Sequence, residues 1–183
     1  MQVKKKVALA FSGGLDTSFC VKYLSQEKNL EVHSVFINTG GFSATEEKKI
    51  EKRAYDLGVE RHENIDVSEQ YYQKCIRFMV YGNMMRNRNY PMSVSSERTF
   101  QAMAVAEYAR REDIGMLAHG STGAGNDQVR FEMIFQVLVN FCKVGHVCSP
   151  VGVPGYPLDY PAETLIWVML AARTGRWPQP RQK

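Results

Sequence analysis

The chain has 183 residues, 44% of them apolar and 23% charged, a balance that fits one soluble domain with an appendage and supports a core of useful size. No run of about 18 uncharged apolar residues exists, so no membrane-spanning helix is expected. The formal charge is +4, but Met1 to Glu132 carries 18 Lys and Arg against 17 Asp and Glu, and no basic stripe alternates with aromatics as a nucleic-acid footprint would.

Val7 to Phe11 is a short apolar run after Lys4, Lys5 and Lys6. It is too short for a signal peptide and stops at Ser12-Gly13-Gly14, so it reads as a buried parallel strand. Thr17 to Leu24 has helical spacing. Glu31 to Ile37 is rich in Val and Ile and reads as a second strand. Glu46 to Leu57 reads as an amphipathic helix, with Ile50, Ala54 and Leu57 on one face and Gly58 as its stop. His62 to Asp66 suits a short third strand, and Ser68 to Tyr81 a helix with Ser68 as N-cap. Gly82 to Met92 is polar and irregular. Ser96 to Arg111 is helical, Ile114 to Ala118 is a further strand, and a helical pattern resumes at Asp127 after a glycine-rich stretch.

Strand and helix patterns alternate, which predicts an α/β fold: a doubly wound parallel sheet covered on both faces. The tail differs. Six of the seven prolines lie from Pro150 to Pro180, together with both tryptophans, Trp167 and Trp177. Only Ala162 to Thr174 has the length for a helix there. The expected organisation is therefore a domain over residues 1–140 and an irregular C-terminal tail over residues 141–183. Cys20, Cys75, Cys142 and Cys148 form no CxxC pair, which argues against a zinc or redox site and for ordinary thiols in the cytoplasm.

Two motifs carry the chemistry. Ser12-Gly13-Gly14-Leu15-Asp16-Thr17-Ser18 follows the first strand and opens the first helix. Glycines let the backbone approach a phosphate, and a helix N-terminus offers N–H groups to an anion. No Gly-Lys-Ser/Thr is present, so this is not a Walker A loop. Asp16 beside a phosphate requires a cation, which Mg2+ would supply. A glycine turn with a polar helix cap is the plainer alternative. The second motif runs from His119 through Gly120, Ser121, Thr122, Gly123, Ala124, Gly125, Asn126, Asp127, Gln128, Val129 and Arg130 to Phe131 and Glu132. Arg130 suits a carboxylate, Asn126 a polar head group and Asp127 an ammonium. A surface ion pair of Asp127 with Arg130 is the alternative.

The first motif resembles the pyrophosphate loop of the N-type ATP pyrophosphatases, and the second closely resembles the signature of argininosuccinate synthase. The resemblance covers Val3 to Phe135 and includes Asn38-Thr39-Gly40-Gly41. It implies a HUP-like sheet of the adenine nucleotide alpha-hydrolase type. It also implies a ligase that joins citrulline to aspartate through citrullyl-AMP, releasing AMP and pyrophosphate, with ATP and Mg2+ as cofactors. By matching position, Ala10, Phe11, Ser12, Gly13, Gly14, Leu15, Asp16, Thr17, Ser18, Ile37 and Gly120 would serve the nucleotide, with Asp16 near the metal. Thr122, Asn126 and Asp127 match aspartate-binding positions, and Tyr90, Ser95, Asn126 and Arg130 match citrulline-binding ones. Asp16 and Asp127 are the candidate catalytic groups. Without the family, Ser95 would read as an N-cap, Tyr90 as a surface aromatic, and His119 as hydrogen-bonded structure.

The resemblance fades after Phe135. The family is homotetrameric, but its second domain and assembly elements are not recognisable here, which leaves two expectations. One is a ligase of this family. The other is a truncated or frame-shifted, catalytically weak or inactive nucleotide-binding fragment. Neither nucleic acid nor membrane is expected as a partner.

Overall fold

The structure is a computed structural model that describes residues 4–86, 88–121, 125–138, 143–147 and 166–169. Strand β1 (Lys6–Ala10) leads through the Ser12–Ser18 loop into α1 (Leu15–Lys22), which runs on as a π-helical turn over Tyr23–Glu27. Then come β2 (Glu31–Asn38), α2 (Ala44–Leu57) and β3 (Arg61–Asp66). A broken helix follows: α3 (Ser68–Tyr71), a π segment over Tyr72–Ile76, and α4 (Arg77–Tyr81). A two-residue hairpin, β4 (Met85–Arg86) with β5 (Tyr90–Pro91), precedes α5 (Ser93–Arg111), β6 (Met116–His119) and α6 (Asn126–Leu138). Two more strands, β7 (Lys143–Val147) and β8 (Ile166–Met169), complete the described chain.

The main sheet has the order β3-β2-β1-β6-β7-β8. Its pairings are parallel from β3 to β7, and β8 closes the edge antiparallel to β7. The doubly wound parallel sheet expected from the alternating pattern is thus present. The sheet reaches further than the sequence pattern shows. The hairpin and both late strands are additions, and Ile166–Met169 is strand where the tail's one helix-length segment lies. The rest of the tail, residues 148–165 and 170–183, lies outside the described residues.

The strand period explains why both faces of the sheet are buried. In β1, Val7 and Leu9 point one way, with Phe11 beyond the strand end, and Ala8 points the other way. The first set packs with Cys20, Val21 and Leu24 of the first helical segment and Ala54 of α2. Ala8, Val35 and Leu117 pack against α5 and α6 through Ala102, Val105, Ala109, Phe131 and Phe135. Alanines on α5 let that helix sit close to the sheet. Where α5 crosses the sheet, Tyr108 of α5 and His33 of β2 share a buried hydrogen bond of 2.9 Å, and burial pushes the Tyr108 phenol up to about 12.

Local signals behave as their chemistry dictates. Ser43 and Glu46 form a reciprocal capping box at α2, and Gly58 ends that helix in the left-handed region at φ 95°. Ser68 is not the N-cap expected from the sequence. It is the first residue of α3, and its N–H donates to Asp66 Oδ1 at 2.8 Å. Hydrogen bonds from Ser68 hold the Asp66 carboxyl below its usual range.

Candidate nucleotide and amino-acid cleft

The chain leaves β1 outward to β2 and β3, then crosses back to place β6 on the other side of β1. That reversal is a topological switch point, and ligands of open α/β sheets bind beyond the strand carboxyl ends there. A cleft of about 1230 Å³ opens at this place. That exceeds the roughly 300–1,000 Å³ of a typical small-molecule site and suits more than one ligand.

The first loop is held rigidly by its own hydroxyls. Ser12 Oγ and Thr17 Oγ1 lie 3.2 Å apart, and Gly14 N donates to Ser12 Oγ. Thr17 and Ser18 both donate to the Gly14 carbonyl, at 3.2 and 2.7 Å. Gly13 takes φ 73°, which a side chain resists, and its carbonyl accepts from Arg53. Gly14 offers no capping side chain, so the first N–H groups of α1 have no intrahelical acceptor, and Leu15, Asp16 and Thr17 of that turn line the cleft. Asp16 sits in this first turn, half-buried on the cleft wall.

Gly120 follows β6 and meets α1 almost in contact. A Cβ there would lie 3.0 Å from Thr17 Cγ2 and 3.3 Å from Thr17 N. His119, which ends β6, is buried and stacks on Phe131 of α6, with ring centroids 5.3 Å apart. Asn38 organises the Asn-Thr-Gly-Gly segment after β2. Its Oδ1 accepts from Gly40 N and Phe42 N, and its Nδ2 donates to Phe42 O and to Glu47. Phe42 thereby reaches back edge-on to Phe36, and both rings line the cleft beside Ile37.

The far wall is polar. Arg130 of α6 donates to Asp127 Oδ1 at 2.8 Å and to Ser95 Oγ of α5 at 3.0 Å. Arg98 of α5 donates through Nε to Asp127 Oδ2 at 3.2 Å and through Nη1 to Gln101. Glu97 accepts from Thr39 Oγ1 and from Gln101. The Asp127–Arg130 pair therefore exists, but inside the cleft rather than on open surface. Tyr71 anchors the start of α5 by donating to the Ser93 carbonyl at 2.7 Å, which fixes the turn that carries Ser95.

Of the residues singled out in the sequence, Ala10, Phe11, Ser12, Gly14, Leu15, Asp16, Thr17, Ile37, Tyr90, Ser95, Gly120, Asn126, Asp127 and Arg130 all line this one cleft. Gly13 and Ser18 do not line it; they shape the loop from behind. Thr122 lies outside the described residues. Ser95 is inside α5 rather than its cap, and Tyr90 stands about half exposed at the cleft rim. Sequence reasoning missed Arg98, Gln101, Phe36 and Phe42. A polar group at positions 97, 98 and 101 on a helix with an apolar face was the available signal for the first two.

Two facing loops at the switch point of a doubly wound sheet define a HUP-like α/β domain. Among solved structures, a predicted subunit of tRNA methyltransferase from Methanocaldococcus jannaschii shares this fold with a TM-score of 0.52 and 19% identity, over 83% of this chain and 70% of that one. The family model described as arginosuccinate synthase N-terminal HUP domain matches residues 6–150, and the chain belongs to that family. The match continues beyond Phe135, where the recognisable motifs end, and takes in β7. Argininosuccinate synthase from Xanthomonas axonopodis pv. citri is 41% identical over 139 residues, covering 75% of this chain and 33% of that protein. The Sulfurisphaera tokodaii argininosuccinate synthase is 36% identical over 139 residues, covering 76% of this chain and 35% of that protein. The chain thus spans about a third of the length of the curated relatives it matches.

Proposed function

We propose that the cleft binds ATP and two amino acids, citrulline and aspartate, for their ligation to argininosuccinate. The observation that carries this reading is the convergence of the two motifs. The loop after β1 and the polar wall of α5 and α6 face one volume large enough for a nucleotide and amino acids together. Family membership supports the choice of substrates.

In this reading the triphosphate lies on the N–H groups of the first turn of α1, where the helix dipole favours negative charge. The adenine side meets Phe36, Ile37 and Phe42. Asp16 is one carboxylate beside the phosphate position, and among the described residues no cluster of three or more metal-ligating side chains exists. That donor set fits Mg2+, which binds through one or two carboxylates, water and substrate phosphates. Mg2+ held there would neutralise phosphate charge.

Tyr90, Ser95, Asn126 and Arg130 orient citrulline so that its ureido oxygen attacks the α-phosphorus. The bond to the β-phosphate oxygen breaks, and pyrophosphate leaves. The aspartate amine then attacks the ureido carbon of citrullyl-AMP. AMP leaves with the electron pair of its C–O bond, and the attacking nitrogen loses a proton. Asp127, close to that nitrogen in this arrangement, is the group placed to hold the ammonium. The protein's contribution is positioning and charge stabilisation rather than covalent catalysis.

Amide chemical-shift mapping tests the assignment. Mg2+-ATP should perturb Ser12 to Ser18 and Gly120, and citrulline should perturb Ser95, Asn126 and Arg130. Perturbations confined to another surface would remove the cleft as the substrate site.

A further inference from the structure

Arg98 belongs to neither motif, yet it lies on the cleft wall and shares Asp127 with Arg130. The two guanidiniums take different oxygens of that carboxylate, Arg98 on Oδ2 and Arg130 on Oδ1. Arg130 is spent further on Ser95. Arg98 uses Nε on Asp127 and Nη1 on Gln101, with Glu97 Oε1 at 3.8 Å from Nη1. Its Nη2 donates to no protein acceptor among the described residues, and its side chain is 32% exposed. Glu97 itself is occupied by Thr39 and Gln101.

The substrates' charges matter here. At neutral pH citrulline carries one carboxylate and aspartate two. Arg130 is the cation matched to citrulline, which leaves the dicarboxylate without a guanidinium unless another supplies it. A planar guanidinium with a spare edge is the group suited to carboxylate recognition.

We infer that Arg98 receives a carboxylate of the aspartate substrate, and that Asp127 holds Arg98 and Arg130 as a paired clamp. Arg98 then sets preference for a dicarboxylate amino acid over its amide. This inference rests on the proposed ligation and names a determinant within the same cleft.

The test is titration of the full 183-residue chain with L-aspartate, L-asparagine, L-citrulline and ATP, followed by amide shifts. Wild type, Arg98→Gln and Arg98→Lys are compared, with thermal unfolding of each. Loss of a charge-assisted pair predicts aspartate binding weaker by about tenfold or more in Arg98→Gln. Citrulline affinity should fall clearly less than aspartate affinity, because Arg130 keeps Ser95 and changes only through the Asp127 it shares with Arg98. Arg98→Lys keeps the charge but not the fork and should fall between. Asparagine should bind wild type and Arg98→Gln alike.

Three results would overturn the inference. One is unchanged aspartate affinity in Arg98→Gln. Another is a parallel loss of aspartate, citrulline and thermal stability, which marks Arg98 as a strut between α5 and α6. The third is wild type that takes up no aspartate at millimolar concentration. The ATP arm reads the nucleotide site separately: absence of ATP binding would sink the ligase reading, whereas ATP binding with aspartate affinity independent of Arg98 would sink this inference alone.

Discussion

Gly120→Ala probes the joint between the two loops. The added methyl would sit 3.0 Å from Thr17 Cγ2, 3.3 Å from Cys20 Sγ and 3.3 Å from Thr17 N. None of these neighbours can yield easily. The Thr17 hydroxyl is tied to Ser12 and Gly14, Cys20 is fully buried, and Thr17 N is backbone in the first turn of α1. Overpacking of this kind costs about 1–3 kcal/mol. Replacing glycine recovers roughly 0.4–1 kcal/mol from the unfolded chain. The net is a destabilisation of about 1–2 kcal/mol, or a fall in Tm of about 2–8 °C for a domain of this size. The relief available is to push α1 away from β6, which displaces the N–H groups proposed for the phosphates. Urea unfolding followed by far-UV circular dichroism measures the first effect, and ATP titration of the same variant measures the second. An unchanged unfolding midpoint would refute the contact argument. A lowered midpoint with wild-type ATP affinity would show that the β6–α1 joint does not set the phosphate site.

Tyr108→Phe leaves buried His33 Nδ1 without its 2.9 Å partner, and should lower stability by about 1–2 kcal/mol in urea unfolding. Burial lowers the pKa of His62 from the ordinary histidine value of 6.5, against weaker raising effects of Asn64 and Glu51. The unfolded chain then binds more protons below that value, so the His62 contribution is whole above about pH 6.5 and is lost as pH falls toward the folded pKa. Urea midpoints between about pH 7.5 and 5.5 should fall more for wild type than for His62→Gln; equal slopes would assign the acid sensitivity elsewhere.

The parts legible in sequence are those with a local cause. The apolar run Val7 to Phe11, the Val- and Ile-rich Glu31 to Ile37 and the periodic helices each satisfy a face of the sheet within their own segment. The two cleft loops were legible as glycine-rich turns between a strand and a helix, while the roles proposed for their residues came from the family resemblance. The parts that escaped depend on partners distant in sequence. β4 and β5 are two residues each and exist only as a pair. Lys143–Val147 becomes strand by lying beside β6, and Ile166–Met169 by lying beside β7, where an apolar run alone does not distinguish strand from helix. Arg98 escaped for the same reason: it is an ordinary helix-surface arginine until α6 brings Asp127 to within 3.2 Å. Ser68 shows the converse: the cap falls one residue earlier, at Val67, and Asp66 accepts the Ser68 N–H.

The proposed nucleotide site places the phosphates of ATP on the loop from Ser12 to Ser18, with Asp16 serving the accompanying cation. Calorimetric titration of ATP into wild type and Asp16→Ala, with Mg2+ and with a chelator, tests it most directly. Wild type should bind ATP saturably with one site, Asp16→Ala should bind about tenfold more weakly with Mg2+ present, and the difference should close in chelator. Absence of saturable binding by wild type would contradict the nucleotide site, and equal affinities of the two proteins with Mg2+ would remove Asp16 from it.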